Sequence, residues 1–320
     1  MSKFKSYIFY FIFALLYNEK IFADKYSGKD GNFQISVIQK KSLIVKERPE
    51  ALSVRISAPI DKQSSPLIIF SHGSRCHVDG SNDLIKYWSS HGYSVIQPLH
   101  LDGFLDSRQK EYTREEISFH RFNDMKLILD KMEELLSDKP MIYKKINKSK
   151  IIAAGHSYGA LVAQSMGGAK TYSQSNPNIK VSNYDRRFKT IVAISPPGYM
   201  KNFVDQTTAK SIKIPMLVTT GTKDMIPPFM PTWDIHTVTY HDSLPGKKYL
   251  AVINNADHWF GGLLCRKTEN KEQNKEMLIL KAVTLAFMDY ALNNNNHANK
   301  FLNRLLIRKS EDGIFDFQSK

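Results

Sequence analysis

The chain has 320 residues, and its 42% hydrophobic and 11% aromatic content is typical of a globular protein with a sizeable core. Its 45 Lys and Arg exceed its 31 Asp and Glu, which gives a formal net charge of +14. The basic residues are scattered along the chain. This distribution favours a solvated basic surface and leaves peripheral contact with anionic membranes as the alternative. No nucleic-acid-binding motif accompanies the charge, so we expect no nucleic-acid partner.

The N-terminus has the pattern of a secretory signal peptide. Two lysines precede an apolar run from Tyr7 to Tyr17, and the small residue Ala23 ends the segment. The run is about half as long as a bilayer span, which makes a retained anchor the less favoured alternative. We therefore predict that residues 1–23 are a cleaved signal peptide and that residues 24–320 form a single periplasmic or secreted domain.

Export changes the interpretation of the two cysteines, Cys76 and Cys265. In an oxidising compartment they can form a disulfide, and each follows a loop that we assign to the functional site below. The alternative is two independent buried thiols, because sequence alone does not test the geometry of the bridge.

In chain order, the mature sequence begins with strands and then alternates between strands and helices. Alternating apolar residues predict antiparallel edge strands over 33–38, 43–45 and 52–57. Continuous apolar runs predict buried strands over 67–70, 93–97, 151–154, 189–194, 214–220 and, as the last strand, 249–253. Helical spacing predicts helices over about 84–90, 119–136 and 275–292.

The remaining segments complete this outline. Residues 171–185 are polar and are predicted to form a surface loop, and a basic tail, about 297–320, is expected to be partly peripheral and to contain one more helix. Strands that alternate with helices indicate an α/β fold with a mostly parallel central sheet and helices on both faces. The loops that follow the parallel strands then meet at one edge of that sheet.

A Gly-x-Ser-x-Gly turn joins the predicted strand 151–154 to a run of small, helix-forming residues. This pattern is the nucleophile elbow, in which Ser157 lies at the tip of a strained turn with its hydroxyl exposed. The flanking glycines are required because a Cβ at either position would crowd the packing across the turn. The helix that follows directs free backbone N–H groups toward the site of developing negative charge.

A serine nucleophile needs a base, and the base needs a group that fixes its tautomer. Asp224 and His258 each follow a predicted strand downstream of Ser157, in the chain order Ser, Asp, His that this elbow requires. We therefore assign Ser157 as nucleophile, His258 as general base and Asp224 as the orienting carboxylate.

Other candidates remain as alternatives. Asp257 adjoins His258 in sequence, where side chains rarely face each other, and Asp205 follows an earlier strand. His236 and His241 lie in a polar insertion and are weaker bases by position, whereas His156 is expected to pack inside the elbow. The other histidines lack the partner spacing of a metal site: His77, His91, His100, His120 and His297. We therefore expect neither a metal nor another cofactor.

The tetrahedral intermediate of acyl transfer needs two donors for its oxyanion. The residue after the nucleophile supplies one, which is the amide of Tyr158, and the loop after the strand 67–70 supplies the other, for which we assign the amide of Ser74. Gly73 is expected to let the backbone approach the substrate closely. Three aromatic residues are candidates either for an apolar pocket or for core packing: Tyr199, Trp233 and Trp259.

Together these motifs resemble the α/β-hydrolase superfamily, and more narrowly the predicted dienelactone-hydrolase-like proteins. That group is related to polyester hydrolases and to platelet-activating-factor acetylhydrolase. The matching segments are residues 69–74, 90–95, 155–159, 221–224, 256–262 and 286–292. The resemblance implies an α/β-hydrolase fold and a serine esterase that needs no cofactor.

The chain departs from these families at several points. Dienelactone hydrolases carry a cysteine where this chain has Ser157, which favours ester hydrolysis in general. The platelet-activating-factor enzymes place the acid one strand earlier, where residues 194–197 offer no nearby carboxylate, and this favours Asp224. Residues 99–103 and 225–248 are less standard and are expected to shape the acyl or alcohol pocket.

The sequence therefore predicts an exported serine hydrolase that cleaves small-molecule or lipid carboxylic esters through an acyl-enzyme. Two alternatives belong to other classes. The same triad serves acyltransferases and peptidases, and a protein of this fold can also be a non-catalytic binding protein.

Overall fold

The computed structural model describes residues 25–103, 112–173, 176, 178–201, 203–266, 268, 270–307 and 313–320. The predicted signal peptide lies outside the described residues. Within them, the structure has no helix that is both long enough and apolar enough to cross a membrane.

In the described part of the chain, nine strands form the central sheet. They are β1 (Ile35–Leu43), β2 (Leu52–Pro59), β3 (Ser65–Ser71), β4 (Ser94–Pro98), β5 (Ile146–His156), β8 (Phe188–Ile194), β9 (Met216–Lys223), β10 (Lys248–Asp257) and β11 (Ile314–Ser319). Two short strands, β6 (Lys170–Tyr172) and β7 (Lys180–Ser182), form a separate antiparallel pair.

The strand order is β1-β2-β4-β3-β5-β8-β9-β10-β11. The six strands from β4 to β10 pair in parallel, and antiparallel strands complete both edges. This arrangement confirms the α/β-hydrolase fold. Because β3, β5, β9 and β10 run in the same direction, the loops after them meet at one edge of the sheet.

Helices cover both faces of the sheet. In chain order they are α1 (Asn82–Ser90), α2 (Arg114–Asp130), α3 (Met132–Leu135), α4 (Pro140–Lys145), α5 (Tyr158–Met166), α6 (Val238–Asp242), α7 (Asn274–Asn293) and α8 (Asn296–Ile307). One core joins the sheet to α1, α7 and α8, and a second joins it to α2, α3 and α5. Consecutive residues of β5 alternate between them: Ile152 and Ala154 pack in the first core, Ile151 and Ala153 in the second.

The helix expected over 119–136 begins earlier and is divided. It starts after Thr113, whose hydroxyl accepts from the Glu116 amide while the Glu116 carboxylate accepts from the Thr113 amide. This capping box satisfies N–H groups that the helix itself cannot, so the polar residues before Phe119 are helical. Lys131 has a non-helical ψ of 16° and separates α2 from α3.

Three further expectations differ from the structure. The expected strands 33–38 and 43–45 are one strand, β1, whose pairing shifts register between Ile38 and Lys41. The polar segment 171–185 contributes to the β6–β7 pair. Residues 249–253 are not in the last strand, because β11 pairs antiparallel with β10 and forms the sheet edge. The tail thus contributes a helix and a strand, with Leu302 and Phe317 buried in the core.

Candidate active site

Ser157 lies between β5 and α5 with φ 55° and ψ −122°, a conformation that non-glycine residues rarely adopt. Its amide donates to the Ile194 carbonyl at 2.8 Å, which secures the turn against β8. A Cβ at Gly159 would lie 1.9 Å from the Ser71 carbonyl oxygen, and one at Gly155 would lie 2.2 Å from the Gly159 oxygen. The turn therefore has the predicted geometry of the elbow, and both glycines are sterically required.

The side chains of His258 and Asp224 are hydrogen-bonded to each other. His258 Nδ1 lies 2.7 Å from Asp224 Oδ1, and the Thr220 hydroxyl donates to the other carboxylate oxygen at 2.7 Å. Asp224 is fully buried. Burial alone would raise the pKa of its carboxyl, but His258 and then His236 hold that pKa well below its usual range. The carboxylate is therefore ionised and accepts a hydrogen bond from His258 Nδ1.

His236 approaches the same carboxylate from the insertion between β9 and β10. Its Nε2 lies 2.9 Å from Asp224 Oδ1, an ion-pair distance, although the ring is not aligned for a straight hydrogen bond. Its Nδ1 lies 2.8 Å from the Pro196 carbonyl, which can only accept, so this nitrogen carries a proton. Burial opposes a charge on this ring, but Asp224 outweighs it and raises the pKa of His236. The sequence offered no motif that joins His236 to Asp224.

The elbow and the loop that carries His258 are also in contact. His156 Nε2 donates to the carbonyl oxygen of His258 at 2.8 Å, and the two imidazole rings lie 4.7 Å apart. Burial and the nearby His258 lower the pKa of His156 well below its usual value, so this ring is neutral. Within the described residues, the Ser157 hydroxyl has no hydrogen-bond partner.

The rival carboxylates have other partners. Asp257 Oδ1 accepts from the amides of Trp259 and Gly261 at 2.9 and 3.0 Å, so it organises the loop that follows β10. Asp205 pairs with Lys180 at 2.6 Å and accepts a hydrogen bond from the amide of Thr207. Neither contacts an imidazole, whereas Asp224 contacts two.

The two amides assigned to the oxyanion hole are not used elsewhere in the described part of the chain. Neither Ser74 N nor Tyr158 N donates to another described group. Gly73 also has a steric role, while a close approach of its backbone to the substrate stays a prediction. A Cβ there would meet Cys76 Sγ at 2.8 Å and His156 Nδ1 at 3.1 Å, so the glycine makes room for these two side chains.

Cys76 and Cys265 form a disulfide with a Cα–Cα distance of 5.1 Å. The bridge joins two segments that carry candidate site residues, the 72–76 loop after β3 and the 258–265 loop after β10. The amide of Cys265 also donates to the Gly80 carbonyl at 2.7 Å. The loops bearing Ser74 and His258 are thus covalently connected.

A second chain of Ser, His and Asp lies beneath the 72–76 loop. Ser71 Oγ is 2.9 Å from His100 Nε2, and His100 Nδ1 is 2.9 Å from Asp124 Oδ2. All three side chains are buried, so Ser71 is not accessible to a substrate. Burial and then the neighbouring Arg121 lower the pKa of His100 well below its usual value. The imidazole of His100 is therefore neutral, whereas Asp124 also pairs with Arg48 at 2.9 Å. A pocket-shaping role for residues 99–103 stays a prediction.

The three aromatic candidates differ in their contacts. Trp259 lies edge-on to the His258 ring with 5.2 Å between centroids. Trp233 packs against Phe315 of β11, and the exposed Tyr199 donates to Asp242 at 2.7 Å. Of the three, Trp259 therefore adjoins the candidate base.

Among the residues that the structure describes, two side-chain groups bring potential metal ligands together. The ligand atoms of Asp224, His236 and His258 lie within 4.8 Å of one another, as do those of His156 and the two cysteines. In the first group the rings already pair directly with the carboxylate. In the second, the disulfide sulfurs are not the thiolates that a metal would require. The first group is thus held together by its own ion pairs, and in the second the two sulfurs are bonded to each other.

A family model described as Chlorophyllase matches residues 25–210, which is more than half of the chain. The matched range includes the 72–76 loop and the elbow, and it ends before Asp224 and His258. No curated protein matches the chain.

Proposed function

The chain belongs to the chlorophyllase family, and from that premise we propose that it is a serine hydrolase that cleaves carboxylic esters through an acyl-enzyme. Membership in this family indicates hydrolysis of ester bonds. The observation that carries the finer proposal is the 2.7 Å bond between His258 and Asp224 at the sheet edge that also holds the strained Ser157 elbow.

In the proposed mechanism, Asp224 accepts a hydrogen bond from the Nδ1–H group of His258, so Nε2 is available as the base. His258 takes the proton of the Ser157 hydroxyl as Ser157 Oγ attacks the ester carbonyl. The amides of Ser74 and Tyr158 donate to the oxyanion of the tetrahedral intermediate. His258 then protonates the leaving alcohol. In the second half it deprotonates the water that attacks the acyl-enzyme and returns this proton to Ser157 Oγ as the acid is released.

Apolar side chains on the neighbouring loops support a lipophilic ester as substrate. Tyr199 and Met200 follow β8 and are 48% and 42% exposed, and Met225 and Phe229 follow β9 and are 44% and 77% exposed. Large exposed apolar groups near a site mark surfaces that bind apolar partners. We therefore expect turnover to rise with acyl chain length across a panel of p-nitrophenyl esters.

Export to the periplasm or the exterior is also part of the proposal. It is supported by the signal-like residues 1–23 and by the disulfide, a bond that persists in oxidising compartments. N-terminal sequencing of the protein recovered from its native compartment tests it, with Asp24 as the expected first residue. Recovery of a chain that still begins at Met1 would contradict cleavage.

The decisive experiment measures hydrolysis of the ester panel by the mature protein and by Ser157→Ala. We expect the variant to lose turnover by at least about 10⁴-fold, and we expect a fluorophosphonate probe to label Ser157 alone. Ser149→Ala is a matched control, because Ser149 is exposed near the opposite end of β5. Unchanged turnover in Ser157→Ala would refute the proposed nucleophile.

A further inference from the structure

The guanidinium of Arg121 lies directly behind the 72–76 loop, on α2, and is completely buried. Its Nη1 donates to the His72 carbonyl at 2.7 Å, and its Nη2 donates to the Gly73 carbonyl at 2.9 Å. One charged group therefore holds two successive peptide units of this loop. Hydrogen bonds from an ionised donor are roughly twice as strong as neutral ones.

These bonds determine where the Ser74 amide points. The Gly73 carbonyl and the Ser74 N–H belong to the same trans peptide, in which the two groups point in opposite directions. Because Arg121 holds the carbonyl on the protein side, the Ser74 N–H is directed away from Arg121 and is left without a described acceptor. Donation to the carbonyl also polarises the peptide, which makes its N–H a better donor.

The same carbonyl has further donors. The His100 amide donates to His72 Nε2 at 3.0 Å, so the His72 proton resides on Nδ1, which lies 2.7 Å from the Gly73 oxygen. The Cys76 amide donates to this oxygen at 3.3 Å. Burial and then the Arg121 charge lower the pKa of His72 well below its usual value, which keeps this ring neutral. The peptide plane is therefore fixed by three donors, of which Arg121 alone is charged.

Arg121 also contacts the residue that carries the second amide. Its guanidinium carbon lies 4.5 Å from the centre of the Tyr158 ring, a cation–π distance. The orientation of the Arg121 guanidinium is set by Asp102, whose two carboxylate oxygens accept hydrogen bonds from Nε and Nη2 at 2.8 Å each. Burial alone would raise the pKa of Asp102, but Arg121 holds it well below its usual range. This bidentate pair fixes the plane of the guanidinium.

We propose that Arg121 is a positioning residue that orients the Ser74 and Tyr158 amides toward the oxyanion. The inference rests on the proposed function, because an oxyanion hole has a role only in acyl transfer. Arg121 does not touch the substrate. It acts through the carbonyls of the 72–76 loop and through the Tyr158 ring.

The test compares Arg121→Lys with Arg48→Lys. Arg48 is the matched control, because it also forms a buried Arg–Asp pair, 2.9 Å from Asp124, and donates to the carbonyls of Glu50 and Leu99. Lysine retains the charge in both variants but cannot hold two carbonyls and a carboxylate in one plane. We expect both variants to lose stability. Only in Arg121→Lys should kcat fall, by about 10–100-fold, with KM within about threefold of the wild-type value. The fall should be smaller than the loss of about 10²–10³-fold in kcat that follows removal of a whole oxyanion donor.

Labelling of Ser157 by the fluorophosphonate probe gives a second readout, because the phosphonyl oxygen occupies the oxyanion position. We expect its rate to fall in parallel with kcat. Should Arg121→Lys not fold, Asp102→Asn keeps the guanidinium but releases its plane, and we expect a fall in kcat of about 3–10-fold at unchanged KM.

The two levels of the proposal fail differently. Suppose that wild-type turnover depends on Ser157 but that Arg121→Lys and Arg48→Lys have the same kcat. The role of Arg121 is then refuted, while the proposed hydrolase activity stands. An unchanged kcat in Asp102→Asn, where that variant is used, leads to the same conclusion. If the wild type hydrolyses no ester and no serine is labelled, the proposed function is refuted, and this inference with it.

Discussion

His236 Nε2 lies 2.9 Å from Asp224 Oδ1, the carboxylate oxygen that also accepts from His258. The Pro196 carbonyl can only accept a hydrogen bond, so His236 Nδ1 carries a proton. In a neutral His236 the unprotonated Nε2, with its lone pair, would then face the carboxylate. The contact is favourable only when both nitrogens are protonated. We therefore infer that His236 is an imidazolium paired with Asp224, which agrees with its raised pKa.

This ion pair predicts a pH-dependent stability. A histidine whose pKa is raised on folding adds stability that is fully present below its unfolded pKa, near 6.5, and is lost as pH rises through the folded value. Asp224, whose pKa is depressed, contributes above an unfolded pKa near 3.9. The pair should therefore stabilise most between about pH 4 and 6.5.

We expect His236→Gln to lower the free energy of unfolding, measured by urea denaturation, more at pH 5 than at pH 9. His241→Gln is the control, because His241 is an exposed histidine of the same insertion and should have little effect at either pH. A loss in His236→Gln that is equal at both pH values would show that His236 contributes by packing and not by its charge.

The choice of Asp224 over the rival carboxylates predicts a difference in kcat. Asp224→Asn should lower kcat roughly 10³–10⁴-fold, because the amide would no longer fix the tautomer of His258 that leaves Nε2 as the base. Asp205→Asn should leave kcat within about twofold, since Asp205 pairs with Lys180 of β7 and not with an imidazole. A large loss in Asp205→Asn with a small one in Asp224→Asn would reverse the assignment.

The elbow and the His258–Asp224 pair could be predicted because each has a local signal. The glycines at 155 and 159 are required by close backbone contacts on either side of the turn, and they therefore leave a pattern in the sequence. Asp224 and His258 follow strands whose parallel order brings their ends to the same edge.

The supporting residues have no such signal. Arg121 lies on the same face of α2 as the buried Met125 and Ile128, but periodicity does not distinguish a buried arginine there from one that extends to solvent. Its burial depends on Asp102, which comes from another loop. His236 reaches Asp224 from a 3₁₀ turn in an insertion without a motif. The strand β11 is short and lies at the end of a basic tail, so its pairing with β10 is a long-range contact that periodicity does not reveal.

The disulfide predicts a link between stability and turnover. Cys76 and Cys265 are 189 residues apart, so the bridge closes a long loop, and its removal should cost about 2–5 kcal/mol. Because it connects the loops of Ser74 and His258, we also expect kcat to fall in the Cys76→Ala/Cys265→Ala double variant. Thermal unfolding and ester turnover measure the two effects.

Reduction provides the control for that experiment. Dithiothreitol should lower the melting temperature and kcat of the wild type toward those of the double variant, and should leave the double variant unchanged. A wild type whose kcat is insensitive to reduction, with the free thiols verified by alkylation, would show that the bridge stabilises the fold without affecting the site.

The position of β11 predicts unequal effects for two phenylalanines of the same strand. Phe317 is 1% exposed and packs in the core with Tyr249, whereas Phe315, two residues away, is 57% exposed and touches Trp233 at its edge. Phe317→Ala should therefore cost about 3–5 kcal/mol of unfolding free energy, because it removes a buried ring and leaves a cavity. Phe315→Ala should cost about 1 kcal/mol, the worth of one aromatic contact. Urea denaturation of the two variants checks the difference, and equal losses would contradict the pairing of β11 with β10.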